Sequence, residues 1–531
     1  MESKDKKSKI VLRSKKLRPD SVQGIKKENS KDVIYNKILI YGDTVADYLA
    51  AMLLSQLGWS VVLIDPASSS RHSVLPFLGL GQLADLDLQV YSPQNKIGRL
   101  LHIVGHLLTP VASRFSKLDT PIFLMSPQSR RSHQYLVENP FLRSGRSALS
   151  QGSSYDLPWR VFFKAIEWPT QVYAPGNQNA IKPLVRPLVG LIQSAQRYWR
   201  PKDFAEANDF NFERTAISKI TQNEIRSVQS LIAATTYVAP ERLSYQQVLR
   251  AAVLLSQPIL ATTDSGYELK QFIKQKILEA KLPCQILEDT RVIGIERQKN
   301  GWQLITTHAA GVLDAQYCIL GYDHYRVMRS SSTQFYFLDE FRKVEALYRR
   351  VQFEIVVDSN ALPSGLERFA VWLNADVDVL SEENLIRCER LPKNETSNSY
   401  ETLRVEFVVR NQSSSHDLVR LQKTCKRVLQ RVCEEFPLIK NSIVAIEPDI
   451  RKYEYIDFVD SKIDLLAPPS ARQLFVLPST KEHQKMWDLS WASEYSNLFF
   501  SGAAVSNVLG PSGELMNYAR IIDSIQKNTY N

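Results

Sequence analysis

The stretch KILIYGDTVADYLAAMLLSQLGWSVVLID, residues 37–65, decides the fold prediction. Its pattern indicates a buried strand ending at Gly42, an amphipathic helix ending near Gly58, and a second aliphatic strand closed by Asp65. A strand, a turn, a helix, a strand and an acid within about 30 residues are the layout of a dinucleotide-binding βαβ unit. We therefore predict an α/β protein with a Rossmann-like parallel sheet built on this unit.

The glycine motif of such a unit is incomplete in this chain. In G-x-G-x-x-G, the first glycine makes the turn, the second lets the backbone approach the pyrophosphate, and the third lets the helix pack on the strand. These positions hold Gly42, Thr44 and Asp47. The Thr44 hydroxyl could donate to a phosphate, whereas the Asp47 carboxylate suits the helix dipole but repels a pyrophosphate. Asp65 stands where the ribose-binding acid is expected, so the pattern favours the fold and leaves nucleotide binding open.

Length and composition indicate a soluble protein with more than one lobe. The chain has 531 residues, which is more than one hydrophobic core usually serves. Its 44% hydrophobic and 23% charged residues are ordinary for a folded soluble protein. No apolar run reaches the ~18 residues that a membrane span needs, and no secretory signal is visible. Five dispersed cysteines without C-x-x-C spacing fit reduced thiols, so we expect a cytoplasmic location and neither a disulfide framework nor a metal site.

Most of the formal net charge of +10 lies in a basic N-terminal tail. Residues 1–37 contain twelve Lys or Arg and five Asp or Glu, so the rest of the chain is nearly neutral. We predict that residues 1–36 are a disordered, solvated tail. Peripheral contact with an anionic membrane is the alternative, and binding to nucleic acid is the weakest hypothesis because it rests on charge alone.

Two further patterns have ordinary structural interpretations. The aromatic stretch at 151–176 could line an apolar pocket, although such a concentration is more often core. His102 and His106 stand four residues apart on a predicted helix, but no glutamate lies between them and their neighbours are apolar. A structural histidine pair is therefore favoured over a metal site, and no catalytic residue stands out.

The later chain adds the elements of a larger α/β protein. A helix over Tyr267–Ala280 precedes short strands with a turn at Asn300 and Gly301. Alternating strands follow between 345 and 410, then a helix over Leu418–Glu435. A second junction from strand to helix, with Gly502, Gly510 and Gly513, lies near residue 500. Such a junction presents backbone amides to a ligand.

In the order of these blocks, the chain resembles the superfamily of FAD-dependent amine oxidases and phytoene desaturases, over about residues 37 to 528. That family has a T-x-V-x-x-I strand against the cofactor, here Thr290, Val292 and Ile295. Its C-terminal L-F-F-A-G-[DE] motif corresponds to Leu498–Ala503. The resemblance implies FAD as cofactor, and as FAD-binding residues it implies Gly42, Thr44, Asp65, Arg71, Val292, Gly502 and Gly513.

The chain also departs from the family pattern around the cofactor. Ala503 replaces the acid that the family uses on the ribityl chain, and Asn517 and Tyr518 replace small residues of the last helix. The Gly-Gly-Arg after the second strand is reduced to Ser68–Arg71. Together with Thr44 and Asp47, these losses indicate a relaxed cofactor site.

The resemblance implies two lobes. We expect an FAD/NAD(P)-binding lobe from 37–90, 245–330 and 490–531, and a substrate lobe of mixed sheet and helices from 91–244 and 331–489. The implied function is that of an FAD-dependent oxidoreductase that oxidises or desaturates an apolar or amine substrate. The alternative is a catalytically inactive protein of this fold that acts as a scaffold or carries a lipid or isoprenoid, as one distant branch carries prenylated proteins.

Overall fold

The structure is a computed structural model. It describes residues 36–69, 72–81, 83, 96–118, 123–125, 235–237, 259–307, 311–335, 338, 345–363, 366, 368–373, 384–391, 399–410, 417–447, 472–476, 493, 495–502, 505 and 510–530. The predictions for the basic tail up to residue 35, for the aromatic stretch at 151–176 and for Arg71 lie outside the described residues.

The described strands are β1 (Lys37–Tyr41), β2 (Ser60–Asp65), β3 (Ser116–Lys117), β4 (Phe123–Met125), β5 (Leu260–Ala261), β6 (Cys284–Glu288), β7 (Val292–Gln298), β8 (Gly301–Thr306), β9 (Val312–Ala315), β10 (Tyr317–Leu320), β11 (Glu345–Asp358), β12 (Phe369–Trp372), β13 (Ile386–Arg390), β14 (Tyr400–Arg410), β15 (Ile443–Glu447), β16 (Arg472–Val476) and β17 (Leu498–Phe500). The described α-helices are α1 (Val45–Gln56), α2 (Lys96–Leu108), α3 (Gly266–Glu279), α4 (His324–Arg329), α5 (Asp417–Glu435) and α6 (Pro511–Tyr530).

A parallel sheet joins chain-distant segments. Its strand order is β17-β10-β1-β2-β6, with β1 paired to β2 on one side and to β10 on the other. β17 pairs with β10, so Phe500 lies beside Leu320. The α/β fold prediction is confirmed. The carboxyl-terminal edge of this sheet gathers the residues that follow β1, β10 and β17.

Both faces of the parallel sheet are covered, which explains why its central strands β10, β1 and β2 are largely apolar. In β1, Ile38 and Ile40 enter one core together with residues of α1, α2, α3 and α6. Leu39 and Tyr41 enter the other core, where the antiparallel strands β7, β8 and β9 and the short helix α4 lie. The sheet is therefore the middle of three layers.

The second large sheet has seven strands. Its order is β15-β11-β14-β13-β12-β4, and β16 also pairs with β11. One face packs against α5, as the core of Phe353, Val405, Val428 and Val432 shows. Strands 345–358, 369–372 and 400–410 and helix 417–435 confirm the predictions for these segments, whereas β13 was missed. The proposed boundaries of the two lobes stay a prediction.

No helix within the described ranges is long and apolar enough to cross a membrane.

Candidate functional site

The turn after β1 forms a closed cap on α1. Thr44 is the N-cap, and its side chain accepts a 3.3 Å hydrogen bond from the Asp47 amide. In return, Asp47 Oδ2 accepts the Thr44 amide at 2.7 Å and the Thr44 hydroxyl at 2.8 Å. This capping box satisfies donors that the first turn of a helix leaves open. The Thr44 amide is consequently bound within the chain.

The Asp47 carboxylate lies buried at the carboxyl-terminal edge of the parallel sheet. Its Oδ1 accepts a hydrogen bond from the Tyr518 hydroxyl of α6 and lies 3.5 Å from Ser501 Oγ. A methyl group added to Gly42 would lie 2.2 Å from Asp47 Oδ2, so the carboxylate fills the space beside this glycine. Burial raises the pKa of Asp47 to about 6, although the hydrogen bond from Tyr518 lowers it.

Tyr518 remains a proton donor in this arrangement. Burial, followed by the charge of Asp47, raises the pKa of the Tyr518 hydroxyl well above its usual value. The same hydroxyl lies 3.0 Å from Ser501 Oγ. One buried cluster therefore links the first turn of α1, the residue after β17 and helix α6.

The ends of β10 and β17 meet closely beside this cluster. Gly502 has φ = +80°, and an added methyl group would lie 2.0 Å from the Gly321 carbonyl oxygen, so a glycine is required there. His324 Nε2 lies 2.8 Å from the Leu320 carbonyl and 3.0 Å from the Ser501 carbonyl. Burial lowers the pKa of His324 to about 4, so the ring is neutral at neutral pH and Nε2 donates to these two acceptors.

Asp65, the expected ribose ligand, is fully engaged inside the protein. Its Oδ2 accepts hydrogen bonds from the Tyr48 hydroxyl and from Lys270 Nζ, both at 2.8 Å. Its Oδ1 accepts the Ala67 amide at 2.7 Å. The Asp65 side chain has no exposed surface and that of Lys270 is 2% exposed. This is a buried ion pair, and removing one partner of such a pair typically costs ~3–5 kcal/mol.

The structure brings several predicted site residues to one edge of the parallel sheet. Gly42, Thr44 and Asp65 follow or end β1 and β2, and Gly502 follows β17 in the adjoining part of the sheet. Val292 begins β7, two residues after Thr290, whose amide donates to the Asp65 carbonyl at 3.1 Å. Gly513 is buried in the first turn of α6. Their role in binding FAD stays a prediction.

Sequence reasoning missed the partners that engage the two carboxylates. Tyr48 and Lys270 bind Asp65, and Ser501 and Tyr518 lie against Asp47. One signal existed for Lys270. It lies three and seven residues before Ile273 and Ile277, on the buried face of α3, where an unpaired lysine would be costly.

The residues at this edge do not fit FAD in the position that the resemblance implies. The Thr44 amide, which would meet the pyrophosphate, already donates to Asp47. The space beside Gly42 holds the Asp47 carboxylate, which would repel phosphate. The Asp65 side chain is fully buried, out of reach of a ribose, and it is paired with Lys270. The groups that would hold the adenosine half of the cofactor are therefore already bonded within the chain.

The two histidines of α2 form a pair. His102 Nε2 and His106 Nε2 lie 3.0 Å apart, so one ring donates to the other. Burial and the neighbouring His102 lower the pKa of His106. Within the described part of the chain, no group of three or more His, Cys, Asp or Glu side chains is placed to hold a metal ion.

Comparison with known proteins gives matches through structure alone. No protein-family model and no curated protein matches the sequence. Among solved structures, cyclohexylamine oxidase from Brevibacterium oxydans IH-35A has 12% identity and a TM-score of 0.51, covering 93% of this chain and 99% of that chain.

Two further solved structures are similar to this chain. A protein provisionally assigned as protoporphyrinogen oxidase from Exiguobacterium sp. 255-15 has 11% identity and a TM-score of 0.48, covering 94% of this chain and 99% of that one. A putrescine oxidase double mutant has 12% identity and a TM-score of 0.46, covering 92% and 99%. At this identity the cyclohexylamine oxidase match establishes the fold alone. The chain therefore has, in divergent form, the fold of cyclohexylamine oxidase.

Proposed function

We propose that this chain uses the fold of the FAD-dependent amine oxidases as a ligand-binding protein without flavin redox chemistry. The observation that carries the proposal is the position of Asp47. Its carboxylate lies against Gly42 and accepts the Thr44 amide at 2.7 Å, where a pyrophosphate would have to approach.

Admitting a pyrophosphate would be costly at this position. The phosphate would have to break the capping box, and the displaced carboxylate would stay beside a dianionic group. Two like unit charges ~4 Å apart repel by about 4 kcal/mol at an effective dielectric constant of about 20. A penalty of that size corresponds to a roughly 1,000-fold loss of affinity. Asp65 adds to the cost, because binding a ribose would require it to leave Lys270.

The competing candidate is an FAD-dependent oxidoreductase acting on an apolar or amine substrate. Gly42 favours it, because it stands at the turn position of a dinucleotide-binding unit and the space beside it is filled by the Asp47 side chain, not by backbone. This candidate requires one FAD per chain in the purified protein and a rearranged Asp47.

The test is the visible absorption spectrum of the purified chain, followed by titration with FAD. We expect the natural protein to be colourless and to bind FAD weakly or not at all. The double variant Thr44→Gly/Asp47→Gly removes a side chain and a carboxylate, and we expect it to gain FAD affinity. Asp47→Asn is the matched control, because it removes the charge and keeps the volume. Stoichiometric FAD in the natural protein would refute the proposal.

A further inference from the structure

The two faces of the seven-stranded sheet differ in character. In β13, Ile386 and Cys388 belong to the apolar core under α5. Arg387 and Glu389 alternate with them and point to the opposite face, where their side chains are only 3% and 2% exposed. This opposite face is charged and yet buried, which is unusual for a sheet surface.

The charged positions line up across neighbouring strands. Arg387 of β13 lies opposite Glu406 of β14, which in turn lies opposite Gln352 of β11. Glu389 lies opposite Arg404 in the same way. We call these five residues, Gln352, Arg387, Glu389, Arg404 and Glu406, the polar face.

The polar face is turned towards the part of the chain that adjoins the parallel sheet. Gln352 Oε1 accepts the Ser73 amide at 2.7 Å. Arg404 donates from one terminal nitrogen to the Thr263 carbonyl at 3.2 Å. The polar face is therefore buried against the segments that contain Ser73 and Thr263.

Most charged groups around the polar face have well-placed partners. Arg404 Nε lies 3.0 Å from Glu354 Oε1, and Arg368 pairs with Glu389 at 3.0 Å. The buried Tyr237 hydroxyl donates to Glu406 Oε2 at 3.0 Å. These contacts have ordinary hydrogen-bond lengths, so they need no additional group.

Arg387 differs from these neighbours. Its Nε lies 3.3 Å from Glu406 Oε2 and its NH2 lies 3.7 Å from Glu389 Oε2, so opposite charges are near. In the part of the chain that the structure describes, however, none of its three guanidinium nitrogens makes a hydrogen bond, and Glu406 Oε1 has no donor. The ring of Phe369 lies 5.1 Å from the guanidinium carbon and covers one side of the plane.

Buried polar groups of this kind require a hydrogen-bonding partner. A guanidinium group carries five N–H donors in a fixed fork and stays charged, so leaving it unbonded is costly. A carboxylate satisfies two of these donors at once in the bidentate geometry that arginine favours. A donor on the adjacent carbon of the same molecule would reach an acceptor such as Glu406 Oε1.

We propose that Arg387 and Glu406 form a binding site for a small carboxylic acid that carries a neighbouring hydroxyl or ammonium group. The carboxylate binds the Arg387 fork, and the neighbouring donor binds Glu406 Oε1. A phosphate fits less well than a carboxylate, because Glu389 and Glu406 beside Arg387 repel a dianion more than a monoanion. Arg368 and Arg404 lie beside Glu389 and offset part of this repulsion for both ligands. The inference names the ligand class of the proposed binding protein and rests on that proposed function.

Calorimetric titration of the natural protein tests the ligand class, with acetate, glycolate, glycine and methylphosphonate as probes. We expect glycolate or glycine to bind at least about tenfold more tightly than acetate, since one hydrogen bond to a charged group corresponds to about this ratio. We expect methylphosphonate to bind most weakly. Absence of binding for all three carboxylates, or tightest binding of methylphosphonate, would overturn the inference.

A pair of variants tests the residue assignment. Arg387→Lys keeps the charge but removes the fork, and we expect it to weaken carboxylate binding roughly 10- to 100-fold. Arg368→Lys is the control, because Arg368 already pairs with Glu389 and should leave the affinity nearly unchanged. Equal affinity in both variants would refute the role of Arg387. If Arg387→Lys does not fold, the probe series with the natural protein still decides.

The outcome can be separated from that of the proposed function. Flavin absorbance in the purified protein would refute the proposal that the chain works without FAD, and it would leave the test of carboxylate binding unaffected. A colourless protein that binds none of the carboxylates would refute the ligand class alone.

Discussion

The carboxyl-terminal edge of the parallel sheet and the polar face of the seven-stranded sheet are both buried and rich in charge, but their hydrogen bonding differs. At the edge, Asp47 and Asp65 each accept hydrogen bonds from at least two other residues. On the polar face, Arg387 makes no hydrogen bond to any residue that the structure describes. The two carboxylates at the edge are thus hydrogen-bonded, whereas on the polar face Arg387 and Glu406 Oε1 are not, as far as the described residues go.

This difference separates two properties that are often treated as one. A dinucleotide fold predicts where a ligand should bind, because strand ends and a helix terminus meet there. Whether that place can bind depends on whether its donors and acceptors are still available. In this molecule the expected place is closed by its own side chains, and the available groups lie elsewhere.

The largest effect is expected when one partner of the buried ion pair at the edge is removed. Lys270→Met leaves the Asp65 carboxylate buried without its cation, and we expect a loss of ~3–5 kcal/mol in the free energy of unfolding. Denaturant unfolding would measure it. The control is Lys274→Met, because the partly exposed, solvent-screened pair of Lys274 with Glu288 should contribute only ~0–1 kcal/mol. Equal losses in the two variants would contradict a closed, low-dielectric edge.

Asp47 should give the edge a distinct dependence on pH. Its pKa is raised from 3.8 to about 6, so the folded state holds a proton that the unfolded state releases between these values. The stability contribution is therefore full below about pH 4 and is lost as pH rises through about 6, by ~3 kcal/mol in all. Asp47→Asn should remove this loss. The measurement is the free energy of unfolding against pH, compared between the natural protein and the variant. Tyr518→Phe should widen the affected range, since Tyr518 lowers the pKa of Asp47. Parallel profiles for natural protein and Asp47→Asn would contradict the burial of this carboxyl group.

The close approach of Gly502 to Gly321 predicts a smaller difference, of about 2 kcal/mol, between two glycine variants. Gly502→Ala combines a positive φ with a clash against the Gly321 carbonyl oxygen. Gly311→Ala is the matched control, because Gly311 has φ = +68° but no atom within 4 Å of an added methyl group. We expect the control to lose ~1 kcal/mol from backbone strain and Gly502→Ala to lose about 2 kcal/mol more from overpacking. Thermal unfolding of both variants checks this, and equal midpoints would contradict the packing at this edge.

The smallest effect is expected on the polar face. Tyr237→Phe removes the donor that binds Glu406 Oε2 at 3.0 Å, and we expect a loss of ~1.5 kcal/mol, the lower end for a hydrogen bond to a charged group. The free energy of unfolding of the natural protein and of Tyr237→Phe should be measured with and without glycolate. Glycolate should stabilise both proteins, because Tyr237 donates to Oε2 and the ligand is expected at Oε1. Stabilisation of neither protein would count against a site beside Glu406.

Local signals in the sequence predicted the fold well. β1, α1 and β2 have the periodicity of a buried strand, an amphipathic helix and a second strand, and the structure places them at 37–41, 45–56 and 60–65. The strand β13 was missed, because the five residues Ile386–Arg390 are short and carry three charged side chains. Two of them, Arg387 and Glu389, are buried by contacts across strands, which a single stretch of sequence does not reveal.

The hydrogen-bonding state of the site could not be predicted in the same way. Asp47 was recognised as unfavourable to a pyrophosphate, but its partner Tyr518 lies 471 residues away. Asp65 matched a ribose-binding acid, and its partner Lys270 lies 205 residues away. Tertiary packing determines such partners. A sequence motif can therefore predict the position of a carboxylate but not the group that it binds.

The same long-range contact affects how the chain is made. Translation at about 5–20 residues per second places Tyr518 roughly 24–94 s after Asp47. Until then β10 lacks its neighbour β17, so the growing sheet has an open strand edge that can pair with another chain. We therefore expect aggregation to arise during the slow assembly of this sheet and not from low stability of the finished fold.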